Sequence, residues 1–318
     1  MDMSTPQIAV LRQNIHGLSA DDYATALRDR LPDADITVAQ TPDDERDLLE
    51  SAPIATGFSL GEAQIERATN LDLFACVYAG VGHLPLETFE NQEIAVTNAS
   101  GVHGPNIAEY VIGAILSHVR RFKQAWRQQQ RGSWQSFPAR ELNGSTVTVV
   151  GLGAIGTSVV DRLDPFGVDT LGVRYTPSKG GPTDEVFGFD EIHDALARTD
   201  YLVLACPLTD ETRGLIDSDA LLTLPTDAVL VNIARGGVVD TDALVSALQS
   251  NRIGGATLDV TDPEPLPGDH PLWEFENVTI TPHNAGHTPD YYERTAEILA
   301  GNVERYRSGN TEFENRVV

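Results

Sequence analysis

Three glycines spaced Gly151-x-Gly153-x-x-Gly156 stand directly behind a β-branched run, Thr146-Val147-Thr148-Val149-Val150. Beyond them Ile155, Val159, Leu163 and Phe166 fall on one helical face. Strand, tight turn and helix in that order make a cradle for a pyrophosphate. Gly151 permits the turn, Gly153 lets backbone approach the phosphates, and Gly156 lets helix and strand pack closely. The first helical turn, from Ala154 and Ile155, offers the anion unpaired N–H groups. A glycine-punctuated turn that binds nothing is the alternative, and the flanking strand and helix weigh against it.

Eighteen positions past Gly156, where an acidic side chain ordinarily bonds a ribose 2′-hydroxyl, the chain has Arg174, within Val173-Arg174-Tyr175-Thr176-Pro177-Ser178-Lys179. A carboxylate there would repel a 2′-phosphate, whereas a guanidinium forks two bonds onto it, with Tyr175, Ser178 and Lys179 alongside. NADP(H) is therefore the expected cofactor and NAD(H) the weaker one. An Arg174 that points into solvent is the alternative.

These residues need a scaffold, and the chain supplies two. Strand-like runs at residues 8–11, 35–39, 53–58, 71–78 and 94–97 alternate with helical segments such as 21–31 and 60–68, which implies parallel sheet covered by helices. Ligands of such sheets gather at the strands' carboxyl ends, so Tyr78-Ala79-Gly80-Val81-Gly82 reads either as an anion-holding backbone or as a plain tight turn. From Asn106 to Gln130 the apolar residues Ile107, Val111, Ile115, Val119 and Phe122 predict one long amphipathic helix crossing between domains, with Asn106 as its cap. After the glycine motif, strands are expected at 170–173, 201–205, 229–233, 256–260 and 278–281. Arg174, Pro207, Arg235, Asp259 and His283 follow them and should converge above the glycine turn. The expected domains are 1–100 with 288–318, and 101–287; a last helix, 291–307, returns to the first.

A chain of 318 residues with 41% hydrophobic and 22% charged content suits two globular domains. No signal peptide or membrane-length apolar run is present, so a cytoplasmic protein without a membrane partner is expected. Cys76 and Cys206 lie in apolar runs, as unreactive buried thiols do. The net charge of −25, with lysine only at 123 and 179, disfavours nucleic acid as a partner. Self-repulsion on that scale needs screening by salt, which points to a halophilic cell; an acidic mesophilic protein is the alternative. No metal is expected.

Three further runs carry a resemblance: Asn232-Ile233-Ala234-Arg235-Gly236-Gly237-Val238-Val239-Asp240, Leu258-Asp259-Val260-Thr261-Asp262-Pro263-Glu264-Pro265-Leu266-Pro267, and Thr281-Pro282-His283-Asn284-Ala285-Gly286. With Glu141-Leu142-Asn143-Gly144 and the glycine motif, the chain resembles the D-isomer-specific 2-hydroxyacid dehydrogenases over essentially its whole length, with several motifs in the family's order. The resemblance implies an α/β protein of two doubly wound parallel-sheet domains, a Rossmann dinucleotide-binding domain inserted in a flavodoxin-like substrate domain. It implies that Arg235 holds and polarises a small 2-oxo acid, that His283 exchanges the proton, and that Glu264 orients the imidazole. It also implies cofactor contacts at Pro207, Thr212, Ile233, Ala234, Asp259, Ala285 and Gly286, a substrate carboxylate at Ala79 and Gly80, and a homodimer. Taken singly, Arg235 reads as a surface ion pair, Glu264 as a loop charge and His283 as a satisfied histidine.

Departures from the pattern bear on specificity. Arg174 replaces the acid that selects NAD, and Val81-Gly82-His83-Leu84-Pro85 lacks the Asp of many relatives. The chain stops soon after Arg307, so the regulatory domain of some phosphoglycerate dehydrogenases is expected to be absent. Formate dehydrogenases of this fold pair the histidine with Gln, so Glu264 disfavours formate. The expected activity is NADP(H)-dependent reduction of a 2-oxo acid such as glyoxylate, hydroxypyruvate or a branched relative. The contrasting expectation is a non-catalytic, corepressor-like dinucleotide sensor of the same fold.

Overall fold

The computed structural model describes residues 6–15 and 17–318, which form two compact units, the first made of the described residues up to Val102 with His287–Val318, and the second of His103–Gly286. In the first unit β1 (Gln7–Val10), β2 (Asp35–Val38), β3 (Ile54–Gly57), β4 (Leu73–Cys76) and β5 (Ala95–Thr97) make one parallel sheet in the order β2-β1-β3-β4-β5. This is the flavodoxin-like order. Side chains alternate across the pleat, so Ile8, Val10, Leu73 and Ala75 join a core with the Ala20–Arg30 and Tyr291–Arg307 helices. Ala9, Leu11, Phe74 and Cys76 face the opposite core, with Leu49, Ile65 and Phe89. Both faces are covered, which is why the strands read as unbroken apolar runs. The Tyr291–Arg307 helix packs by stacking Tyr292 on Tyr23, centroids 4.8 Å apart, and by a hydrogen bond from the Tyr291 hydroxyl to the Val77 carbonyl.

The second unit holds β6 (Thr146–Val150), β7 (Asp169–Val173), β8 (Glu185–Phe187), β9 (Tyr201–Leu204), β10 (Val229–Asn232), β11 (Gly255–Leu258) and β12 (Val278–Ile280), all parallel, in the order β8-β7-β6-β9-β10-β11-β12. The first six positions reproduce the Rossmann order and β12 extends it. Val147, Val149 and Val203 pack on one side and Val150, Leu202 and Leu204 on the other. The α/β architecture with two parallel sheets is thus as the residues and the resemblance imply.

The long helix is corrected. It runs from Gly104 to Val119, stops, and resumes from Phe122 to Gln130. Arg121, at φ 52, breaks it, and the whole of it belongs to the second unit rather than crossing between the two. The apolar stripe persists only while there is core to cover: Ile107, Val111, Ile115 and Val119 are buried, but Phe122 is 57% exposed and nothing in the second segment is buried. That segment is tied down by polar bonds instead, from Lys123 to the Val278 carbonyl and from Arg127 to the backbone and carboxylate of Glu276. Asn106 is not the cap either; His103 occupies that position and Asn106 lies inside the first turns.

Cys76 and Cys206 are free and buried, and burial raises both thiols, Cys206 to about 11, so neither is a reactive thiolate at neutral pH. No helix among the described residues is long and apolar enough to cross a membrane. Because 47 acidic side chains face only 22 basic ones, the folded chain concentrates unscreened negative charge. The unfolding midpoint is expected to climb from dilute buffer to multimolar KCl; full stability in dilute buffer contradicts a halophilic adaptation.

Candidate active site

At the carboxyl end of β6 the chain turns through Gly151, φ 98, into the helix Ala154–Leu163. A Cβ on Gly151 would lie 2.6 Å from the Cys206 nitrogen, and one on Gly156 would overlap the Gly151 carbonyl oxygen. At Gly153 a Cβ would meet nothing within 4 Å, so the backbone in front of the helix stands open. A pyrophosphate fits this arrangement: a turn that only glycine can make, a helix pressed against it, and bare N–H groups facing outward. Gly156→Ala sets a gain in helix propensity of about 1 kcal/mol against a clash with fixed backbone, which costs about 3 kcal/mol or more. The clash wins, so the urea midpoint should fall; an unchanged midpoint contradicts the close packing.

Arg174 follows β7, and its guanidinium donates to the Gly180 carbonyl at 2.6 Å across the loop containing the 3-10 turn Pro177–Lys179. That bond uses one of its five donors. Tyr175, Ser178 and Lys179 are exposed around it, with Tyr175 73% accessible and edge-on to Phe189 at 6.3 Å.

Arg235, exposed, follows β10, with an N–H donating to the Ala234 carbonyl at 2.6 Å. The Asn232 side chain braces the same turn, accepting from the Ala234 N–H at 3.0 Å and donating to the Arg235 carbonyl at 3.2 Å. Gly236 lies hard against the Thr261 and Asp262 backbone, where no Cβ fits. This close approach ties the Arg235 turn to the loop carrying Glu264. Glu264 in turn accepts from His283 Nδ1 at 2.7 Å. Three sequence-distant runs therefore meet in one place. The Glu264–His283 pair borders a cavity of about 540 Å3, with Trp273, Leu266, Ile280 and Pro282 also on its wall.

His283 itself sits at φ 53, a left-handed conformation imposed by its surroundings. Its N–H donates to the carbonyls of Asp259 and Thr281 at 2.8 and 3.0 Å. Asp259, only 3% exposed, accepts from the N–H groups of Asn284 and Ala285 at 2.8 and 2.9 Å and from the Thr281 hydroxyl at 2.5 Å. Its carboxylate thus anchors the His283 turn through three of the protein's own donors, with Oδ2 accepting a single one of them. Thr212 is buried, and its hydroxyl donates to the Pro207 carbonyl at 2.6 Å, closing its loop. The side chains of Ile233, Ala234 and Ala285 are buried too, while Pro207 is exposed and Gly286 half-buried.

Two residues to which the sequence gives no part in the site complete the anchor. Tyr110 bonds the Thr281 hydroxyl at 2.6 Å, and Asn106, one helical turn earlier, donates to the Ala285 carbonyl at 2.9 Å. Their spacing of four was a signal that both lie on one helix face, but not of what that face meets. Ala79 and Gly80 lie in the first unit, exposed beyond β4, with the Ala79 carbonyl held by Asn98 at 2.8 Å.

Residues 112–285 match the family profile described as "D-isomer specific 2-hydroxyacid dehydrogenase, NAD binding domain". The chain is 36% identical over 248 residues to glyoxylate reductase of Thermofilum pendens, covering 75% of this chain and 73% of that one. It is 35% identical over 241 residues to human glyoxylate reductase/hydroxypyruvate reductase, covering 73% of each. Among solved structures, a D-isomer specific 2-hydroxyacid dehydrogenase from Xanthobacter autotrophicus Py2, in complex with NADPH and MES, superposes with a TM-score of 0.79 at 30% identity over 99% of this chain and 98% of that one.

Proposed function

The chain belongs to the D-isomer-specific 2-hydroxyacid dehydrogenase family, and on that premise we propose that it reduces small 2-oxo acids to D-2-hydroxy acids with NADP(H) as its preferred cofactor. The observation that carries this reading is the 2.7 Å contact between His283 Nδ1 and Glu264, beside the Arg235 turn and in the same unit as the glycine cradle. With Nδ1 engaged, Nε2 is the ring nitrogen left to exchange a proton with substrate oxygen. Glu264 fixes the ring's orientation. Arg235 keeps most of its fork free for the substrate's carboxylate and keto oxygen, where a charge-assisted bond is worth roughly 1.5–3 kcal/mol. The nicotinamide, when bound, supplies the hydride. In reduction His283 gives its proton to the C2 oxygen, and in oxidation it takes that proton back. In the first unit, taken by itself, Ala79 and Gly80 form a glycine-rich exit from β4 whose backbone N–H groups suit a carboxylate.

Arg174, pinned through one N–H, supports the 2′-phosphate reading, with Ser178 and Lys179 exposed beside it. The Arg235, Glu264 and His283 set weighs against a corepressor-like sensor of the same fold, since binding a dinucleotide alone does not call for an acid–base pair. The test is NADPH consumption with a panel of 2-oxo acids in high KCl. Turnover is expected, and none with any of them contradicts the reading.

A homodimer belongs to the same proposal. Residues 110–140 contain no Asp or Glu but carry Arg120, Arg121, Lys123, Arg127, Arg131 and Arg140. Phe122, Trp126 and Trp134 are exposed there by 57, 59 and 102%. Two chains of charge −25 repel over most of their surface, whereas here Glu276 and Asp227 are paired with Arg127 and Arg140 and exposed aromatic rings are available for a second copy to bury. Light scattering in high KCl should give a dimer that Trp126→Asp with Trp134→Asp dissociates. A monomeric wild type contradicts it.

A further inference from the structure

The carboxyl ends of β3 and β4 carry an aromatic group that the chemistry above leaves unused. Phe58 follows β3, Tyr78 lies two residues beyond β4, and their rings meet edge to face with centroids 5.1 Å apart. His83 lies flat on Phe58, centroids 4.3 Å apart and planes 10° apart, and its Nε2 is 2.8 Å from the Phe58 carbonyl oxygen. The Phe58 ring is therefore held from two sides. Even so, Phe58 and Tyr78 remain 41% and 36% exposed. Between Tyr78 and His83 runs Ala79-Gly80-Val81-Gly82, and a Cβ on either glycine would meet nothing within 4 Å.

Folding explains none of this exposure, because ring surface left in water adds nothing to the core. A fixed, exposed aromatic cluster marks a place prepared for a ligand. Its position agrees: β3 borders the reversal of strand order in the sheet, and ligands of such sheets lie beyond the carboxyl ends there. The cluster also adjoins the backbone proposed to hold the substrate's carboxylate, and Gly82 brings no side chain with which to meet a hydroxyl at C3.

We propose that Phe58 and Tyr78 form a specificity surface for a 2-oxo acid whose C3 substituent is aromatic or bulky and apolar, in preference to glyoxylate or hydroxypyruvate, with His83 as the positioning residue behind Phe58. This rests on the reading that the chain reduces 2-oxo acids. The carboxylate lies along the glycine backbone and the apolar substituent against the two rings, where ring contact adds to apolar burial.

The test is kcat/KM with NADPH for phenylpyruvate and for glyoxylate in high KCl, taken as a ratio. In the wild type the ratio should exceed one. Phe58→Ala should lower it about tenfold or more, as loss of a buried ring contact implies, mainly through KM for phenylpyruvate. Phe58→Leu keeps an apolar side chain and should lower the ratio less, which covers the case in which the alanine variant fails to fold. His83→Ala should lower the ratio and His83→Phe, which restores a stacked ring, should recover it. A wild-type ratio at or below one, or a ratio that neither Phe58 variant moves, overturns the inference while leaving the proposed reduction intact. No turnover with any 2-oxo acid fails the reduction itself, and this inference with it.

Discussion

Replacing His283 by asparagine is expected to lower kcat/KM for 2-oxo acid reduction about 10²–10⁴-fold, the range for loss of a general acid. Asparagine is preferable to alanine because position 283 is at φ 53, where a residue without a short polar side chain is strained by roughly 1–2 kcal/mol. Asparagine tolerates that conformation, so the backbone bonds to Asp259 and Thr281 persist and the variant reports on chemistry rather than folding. The imidazole and its Glu264 partner are 48% and 40% exposed, so neither leaves a buried orphan charge when the other is removed. The thermal midpoint should barely move. Glu264→Gln keeps a hydrogen-bonding side chain and should lose less than the histidine variant. The measurement is steady-state kinetics in high KCl, and undiminished turnover in His283→Asn contradicts the assigned role.

The other large effect is on cofactor choice. Arg174→Asp removes a guanidinium whose charge-assisted bonds are worth roughly 1.5–3 kcal/mol and places a like charge against a 2′-phosphate. Together these should shift the ratio of kcat/KM for NADPH over NADH about 10²–10³-fold toward NADH. Folding is a lesser concern, since among the described residues the side chain's bond is the one to the Gly180 carbonyl. Ratios measured with one 2-oxo acid and both cofactors decide the matter. A variant that still prefers NADPH as the wild type does defeats the role given to Arg174.

Much of the fold is legible in the residues because buried parallel strands write themselves as apolar runs. Both sheets were visible in that pattern, whereas β8, Glu185–Phe187, was not: an edge strand of three residues with polar neighbours has no such signature. The break at Arg121 was hidden for a related reason. Phe122 keeps the helical period, and only the end of the underlying core shows that the period no longer matters.

The site divides along the same line. Arg235, Glu264 and His283 are legible because unusual residue types follow apolar runs within motifs. What holds them is not, since the donors that occupy Asp259 come from residues 22 to 26 places further on, and Tyr110 reaches Thr281 across 171. An acid at a strand end reads as a ligand contact, and its part in holding the His283 turn shows only once its partners are seen. Phe58 is the converse case: at the end of an apolar strand it reads as the strand's last core residue, and only its exposure and its contacts with Tyr78 and His83 set it apart.

The central claim is that C2 of a 2-oxo acid receives hydride on the face that gives the D product. NADPH carrying deuterium at the transferred C4 position, supplied with the fastest-reacting 2-oxo acid whose C2 becomes a stereocentre on reduction, which leaves out glyoxylate, tests it in one experiment. The product, resolved by chiral chromatography and mass spectrometry, should be the D-2-hydroxy acid with one deuterium at C2. An L product, or a product without deuterium, would contradict the account.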